Sequence, residues 1–96
     1  MRVSYHPAVE RELIAAAEYY EVRQSGLGFS FRDEFQQAVK RIISAPHRPG
    51  EIVKGVRGIP LHRFPYWVYY RLEPDKVHII VLRHRRRDLR FGLDRE

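Results

Sequence analysis

Cysteine is absent from the chain, so neither a disulfide framework nor a thiolate metal site is available to it. Long apolar runs are missing as well. Nowhere do about eighteen consecutive apolar residues occur, and the opening MRVSYHPAVE has no apolar core of the kind a signal peptide needs, so the expectation is a cytosolic protein without membrane contact. HExxH, GxSxG, Walker and GxGxxG patterns are all lacking. The histidines at 6, 47, 62, 78 and 84 form no pair at a spacing suited to a metal. Metal, nucleotide and serine-nucleophile chemistry are therefore disfavoured, and no cofactor is expected. No repeat, low-complexity tract or linker divides the chain, which reads as a single domain over residues 1–96.

Positive charge is what the sequence has in excess. Eighteen Lys and Arg face twelve Asp and Glu, a formal charge of +6, which favours encounter with polyanions or an acidic partner. The first forty residues mix both signs as helix surfaces do. Arg83, Arg85, Arg86, Arg87 and Arg90, by contrast, crowd the C-terminal region with only Asp88 among them. A solvated surface and a functional edge are equally consistent with such a run.

Arg2 to Tyr5 alternates as a short strand and is ended by Pro7, which suits the first turn of a helix with His6 as its cap. Val9, Leu13, Ala16, Ala17 and Tyr20 then recur at helical spacing to about Arg23. After the glycines of Gln24 to Gly28, Phe31, Phe35, Ala38, Val39 and Ile42 form a second stripe, with Ser30 and Asp33 read as a capping box and Pro46 as the stop. The short link makes the two helices an antiparallel hairpin. Pro46 to Gly58 reads as a loop.

Three strand-like runs follow within Val56 to Arg87. Pro65 divides the first two, and Glu73-Pro74-Asp75-Lys76 makes a tight turn before the last. Pro60 places the first run near an edge or keeps it short. Val77 to Leu82 is apolar at nearly every position, the mark of a strand buried on both faces. The expected fold is α+β, with an N-terminal strand and a helical hairpin packed on one face of a small twisted antiparallel sheet. Alternation puts Tyr66, Val68, Tyr70 and Leu72 toward the helices. Trp67, Tyr69, Arg71 and Glu73 then line a half-open opposite face, left for function.

One chemistry compatible with this inventory is metal-free RNA cleavage, which needs cations on the scissile phosphate and a group that moves the 2′-hydroxyl proton. Arg57, Arg63, Arg71, Arg83, Arg85 and Arg87 offer the cations. His62, His84, Tyr69 and Tyr70 offer the proton carriers. Packing within the sheet competes with each of these roles, and with base stacking by Trp67.

The segments YHPAVERELIAAAEYYE, GLGFSFRDEFQQAVKRIISAPHRPG and VRGIPLHRFPYWVYYRLEPDKVHIIVLRHRRRD, in that order, resemble the RelE/ParE superfamily of toxins from bacterial type II toxin–antitoxin systems, also called plasmid stabilisation proteins. The resemblance covers nearly the whole chain. It implies a small α+β toxin held in a heteromeric complex by an antitoxin whose acidic or flexible C-terminal segment wraps the hairpin and sheet, with Leu13, Ala17, Tyr20, Phe31 and Phe35 as the helical contacts. RelE-like members cut mRNA on the ribosome, whereas ParE-like members poison DNA gyrase. RelE-like nucleases carry an arginine where Trp67 stands, another at Arg87, and a tyrosine near Phe91 to Leu93. Only Arg87 matches.

The run YYRLEPDKVHIIVLRHRRRD is closer to ParE-like strands and their exit, so the resemblance favours gyrase inhibition. Its target contacts would be Trp67, Arg83, Arg85, Arg86, Arg87 and Arg90. A ribosome-dependent endoribonuclease using Arg57, Arg63, His84, Arg85 and Arg87 is the alternative. A non-toxic binding module with the same fold is the second alternative.

Overall fold

The computed structural model describes all residues 1–96. In chain order it forms β1 (Arg2–Tyr5), α1 (Pro7–Arg23), α2 (Leu27–Ser44), β2 (Glu51–Val53), β3 (Val56–Pro60), β4 (Tyr66–Leu72) and β5 (Lys76–His84). The expected α+β arrangement is present, with both helices on one face of a five-stranded sheet ordered β1-β5-β4-β3-β2. The sheet is mixed rather than antiparallel throughout. β1 joins β5 in parallel, Arg2 opposite Lys76 through Tyr5 opposite Ile79, while the remaining pairs are antiparallel. Three antiparallel steps from β2 leave β5 running the same way as β1, a direction that alternation within single strands does not encode.

Local chemistry accounts for most element ends. The His6 Nδ1 accepts the Ala8 amide at 3.0 Å, capping α1 one residue before Pro7. α2 starts at Leu27, a turn before the expected Ser30–Asp33 box. Ser30 lies inside the helix and its hydroxyl donates to the Gly26 carbonyl. The amides of Gly26 and Gly28 instead donate to the Glu21 carboxylate, each at 3.0 Å, so a side chain of α1 caps α2. Gly28 is required here because a Cβ would stand 2.7 Å from the Ala17 carbonyl oxygen. The segment read as a loop from Pro46 to Gly58 contains β2, closed onto β3 by a turn at Lys54–Gly55, where Gly55 has φ 84. Three exposed residues leave no apolar alternation to reveal such a strand.

The helix-facing core holds Val9, Ala16, Phe31, Phe35, Ala38 and Ile42 against Val68, Tyr70, Val77, Ile79 and Leu82. Tyr20 stacks on Phe31 at 5.4 Å, and Phe64 and Tyr66 meet that pair edge-on, a geometry worth about 1 kcal/mol per pair beyond burial. The two faces of β4 are as alternation predicts. In β5 a bulge intervenes. Tyr69 faces Val81 and Tyr70 faces Ile79, so Ile80 is an extra residue and joins Val81 on the side away from the helices.

That second face is closed over much of its area, contrary to the half-open surface expected. Phe91 and Leu93 of the C-terminal segment pack on Val56, Tyr69, Ile80 and Val81, and Tyr69 is buried. Arg83 bends the segment back. Its side chain is buried, Nε donates to the Tyr69 hydroxyl at 2.9 Å, and one terminal nitrogen donates to the carbonyls of His84 (3.1 Å), Arg85 (3.1 Å) and Arg87 (2.7 Å). Arg71 holds the far end through the carbonyls of Leu93 and Arg95. Gly92, at φ 76, passes so close to Val81 that a Cβ would collide with it.

Replacing Arg83 by Met leaves the Tyr69 hydroxyl and the bent-back carbonyls without their donor. The expected cost is about 3 kcal/mol in urea denaturation, together with faster tryptic cleavage among Arg85, Arg86 and Arg87 than in the wild-type protein. Unchanged stability would show that the tail is held otherwise.

A second expectation concerns Glu34. Burial pushes its carboxyl up, but the Arg63 amide and guanidinium and the His62 amide outweigh this and hold it below the ordinary glutamate range. A depressed folded-state value means this stabilisation is full above the ordinary glutamate value and is lost as pH falls through the lower folded one. Glu34→Gln should thus cost about 1.5–3 kcal/mol at pH 7. The difference from wild type should shrink in acid, as read by denaturation at both pH values.

Candidate functional site

Two of the larger hollows carry an excess of positive charge. The larger is a groove of about 480 Å³ between α1 and the outer edge of β5, lined by Arg11, Ala15, Tyr19, His84, Arg87 and Phe91 among others. It exists because β1 pairs with β5 only as far as Ile79, leaving the strand beyond without a neighbour. Side chains stand in for the missing strand. Glu12 accepts the Leu82 amide at 3.1 Å, Arg95 donates to the Ile80 carbonyl at 2.9 Å, and the two are ion-paired at 2.8 Å. Both are mostly buried, so the groove has a sealed floor and a basic wall.

His84 occupies that wall with its ring edge-on to Tyr66, centroids 5.0 Å apart. Its Nδ1 accepts the Arg86 amide at 3.0 Å, which places the neutral ring's proton on Nε2. The ring therefore offers a donor and no free lone pair for taking a proton. Burial pushes the Tyr66 phenol up, reinforced by Tyr20 and Tyr19, and burial likewise raises Tyr20, so neither phenol supplies a base near neutrality. The Arg87 guanidinium lies 4.0 Å over the Phe91 ring, a cation–π contact to a side chain without a hydroxyl.

The second surface is a hollow of about 470 Å³ at the end of the sheet where β3 crosses to β4, lined by His62, Arg63, Trp67 and Arg85. Trp67 is half-buried, opposite Pro60 on one side and Arg83 on the other. Arg63 is fixed from behind by Glu34, which takes both its amide (2.6 Å) and its Nε (2.8 Å).

The arginines singled out by charge alone have separate fates. Arg83 is a buried structural clamp and presents nothing to a target. Arg57 holds the loop after α2, donating to Pro49 O at 2.5 Å and His47 O at 3.3 Å, and lies on β3 opposite Tyr70, away from His84. Arg57, Arg63 and His84 thus do not converge on one point. Arg85, Arg86, Arg87 and Arg90 are exposed, with Asp88 accepting the Arg90 amide and its carboxyl held low chiefly for that reason.

The apolar stripe expected to meet a partner turns inward: Ala17, Phe31 and Phe35 are buried, and Leu13 and Tyr20 pack against the same core. The exposed apolar side chains of the hairpin are Ile14, Tyr19, Val22 and Phe29. In the sequence Glu12 reads, with Glu10, Glu18 and Glu21, as part of a solvated helix face, and Arg95 is not singled out; the structure mostly buries both as an ion pair. A signal existed for Glu12, since it lies three residues after Val9 and four before Ala16 and so shares their inward stripe. Arg95, in a polar tail, gave none.

The comparisons agree with this architecture. Residues 3–89 match the model of the family described as ParE toxin of type II toxin-antitoxin system, parDE. Toxin ParE2 of Mycobacterium tuberculosis, in strains CDC 1551 / Oshkosh and ATCC 25618 / H37Rv, is 33% identical over 84 residues, 86% of this chain and 80% of the relative. A chain of the solved chromosomal ParDE TA system from P. aeruginosa superposes with a TM-score of 0.75 at 20% identity, covering 88% of this chain and 95% of that one, a likeness of fold. With a family match over most of its length and a curated relative at that identity, this chain belongs to the ParE toxin family of type II toxin–antitoxin systems.

Proposed function

We propose that this toxin acts without cutting RNA, by inhibiting DNA gyrase in the manner of ParE-like proteins, and that its cognate antitoxin neutralises it from the groove beside α1. The observation that carries the first half is the absence of an assembled proton-transfer centre around Arg87. His84 has its Nδ1 lone pair on Arg86, Phe91 has no hydroxyl, and Arg57 and Arg63 are engaged elsewhere. Cations remain, but a cation without a base positions a phosphate and does not cleave it.

The groove suits an acidic, flexible antitoxin segment for two reasons. Arg11, His84 and Arg87 line it, while its one lining carboxylate, Glu12, is neutralised by Arg95. The β5 edge beneath has main-chain groups held only by side chains, which an incoming strand can replace by ladder bonds. The nuclease reading keeps one observation in its favour, that His84 and Arg87 line the same groove.

Induced expression with pulse labelling separates the readings. Thymidine incorporation should fall before methionine incorporation, purified toxin should inhibit supercoiling by gyrase, and mRNA should stay intact; early mRNA cleavage would sink the gyrase assignment. For the antitoxin, Ala15→Trp fills the groove from an exposed helix position and should leave toxicity while weakening neutralisation at least tenfold. An antitoxin that still neutralised the variant fully would place its contact elsewhere.

A further inference from the structure

The hollow around Trp67 is separate from the groove, and the placement of the antitoxin leaves it free. We propose that it binds a segment of single-stranded nucleic acid, with two phosphates of its backbone held by Arg63 and Arg85, one on each, and an unpaired base resting on the Trp67 indole. No carboxylate lines it. The nearest acidic group, Glu34, sits behind Arg63 and orients it: amide and Nε are both taken, while the side chain stays 63% exposed.

Arg85 reaches the same hollow from the opposite wall. Its amide donates to the Pro65 carbonyl at 2.7 Å, which extends the β4–β5 pairing by one step and fixes the backbone, leaving the side chain exposed. By alternation from Arg83, Arg85 shares the Trp67 face of the sheet. Trp67, both arginines and His62 therefore line one hollow. A carboxylate peptide would satisfy the cations and leave the ring idle, whereas a nucleotide uses both. Arg86, next to Arg85 in the chain, is exposed as well, so a repeating polyanion finds more charge here than a lone phosphate needs. A duplex would present phosphates without an accessible base face.

Trp67 is the single tryptophan of the chain, so its fluorescence reports this hollow directly. Titration of the full-length toxin with a deoxythymidine decamer should quench it saturably. The slope of log K against log salt should be about −1.4, the value for two phosphates on a single strand. Arg85→Ala, which removes no bond within the fold, should weaken binding about fivefold and reduce that slope by about 0.7. Lys54→Ala, at the distant β2–β3 turn, should leave both unchanged.

Four results would overturn the proposal: no saturable quenching, equal weakening by Lys54→Ala, equal quenching by a glutamate decamer, or tighter binding of a blunt duplex than of the decamer. A toxin that inhibits gyrase but ignores the decamer sinks only this inference. One that binds the decamer but spares gyrase sinks only the target assignment.

Discussion

A buried guanidinium carries the arrangement on which both surfaces depend. Arg83 has left water, and a cation does so only when its donors are met; here the Tyr69 hydroxyl and three successive-turn carbonyls of the tail meet them. Because those carbonyls belong to His84, Arg85 and Arg87, satisfying one charge sets the path of the chain beyond β5. The tail must curl over the sheet. Phe91 and Leu93 then close the second core, and Arg95 reaches Glu12 on the opposite helix.

The curl also sorts a run of like charges into different tasks. Arg83 points in, Arg85 toward the Trp67 hollow, and Arg87 onto Phe91 in the groove. Neighbouring guanidiniums repel, and a tight turn that sends alternate ones to opposite sides lessens the cost of gathering them. The toxin thus shows one basic wall to each side of the β5 terminus, with the strand's free edge beneath the groove.

That edge is where the fold is least self-sufficient. β1 covers the first half of β5, and the second half is covered only by Glu12 and Arg95. An ion pair of this kind blunts a strand edge against chance pairing while remaining replaceable, since its bonds to the backbone are those a neighbouring strand would make. A family whose members work in pairs with an antitoxin has use for such an edge.

Period and punctuation in the sequence were sufficient for the strand–helix–helix–strand order, the helix-facing side of β4 and the turn at Glu73–Lys76, because each is set by residues within a few positions of one another. Most of the site was legible only as a composition, a cluster of arginines near a tryptophan. The parallel pairing of β1, the bulge at Ile80, the capping of α2 by Glu21 and the closing of the second face all join residues far apart in the chain or depend on direction. The role of each arginine belongs with these. Its charge is written in the sequence, but whether that charge faces solvent, a partner or a row of backbone carbonyls is decided by what the folded chain places within 3 Å of it, as Arg83 with the Arg87 carbonyl at 2.7 Å shows.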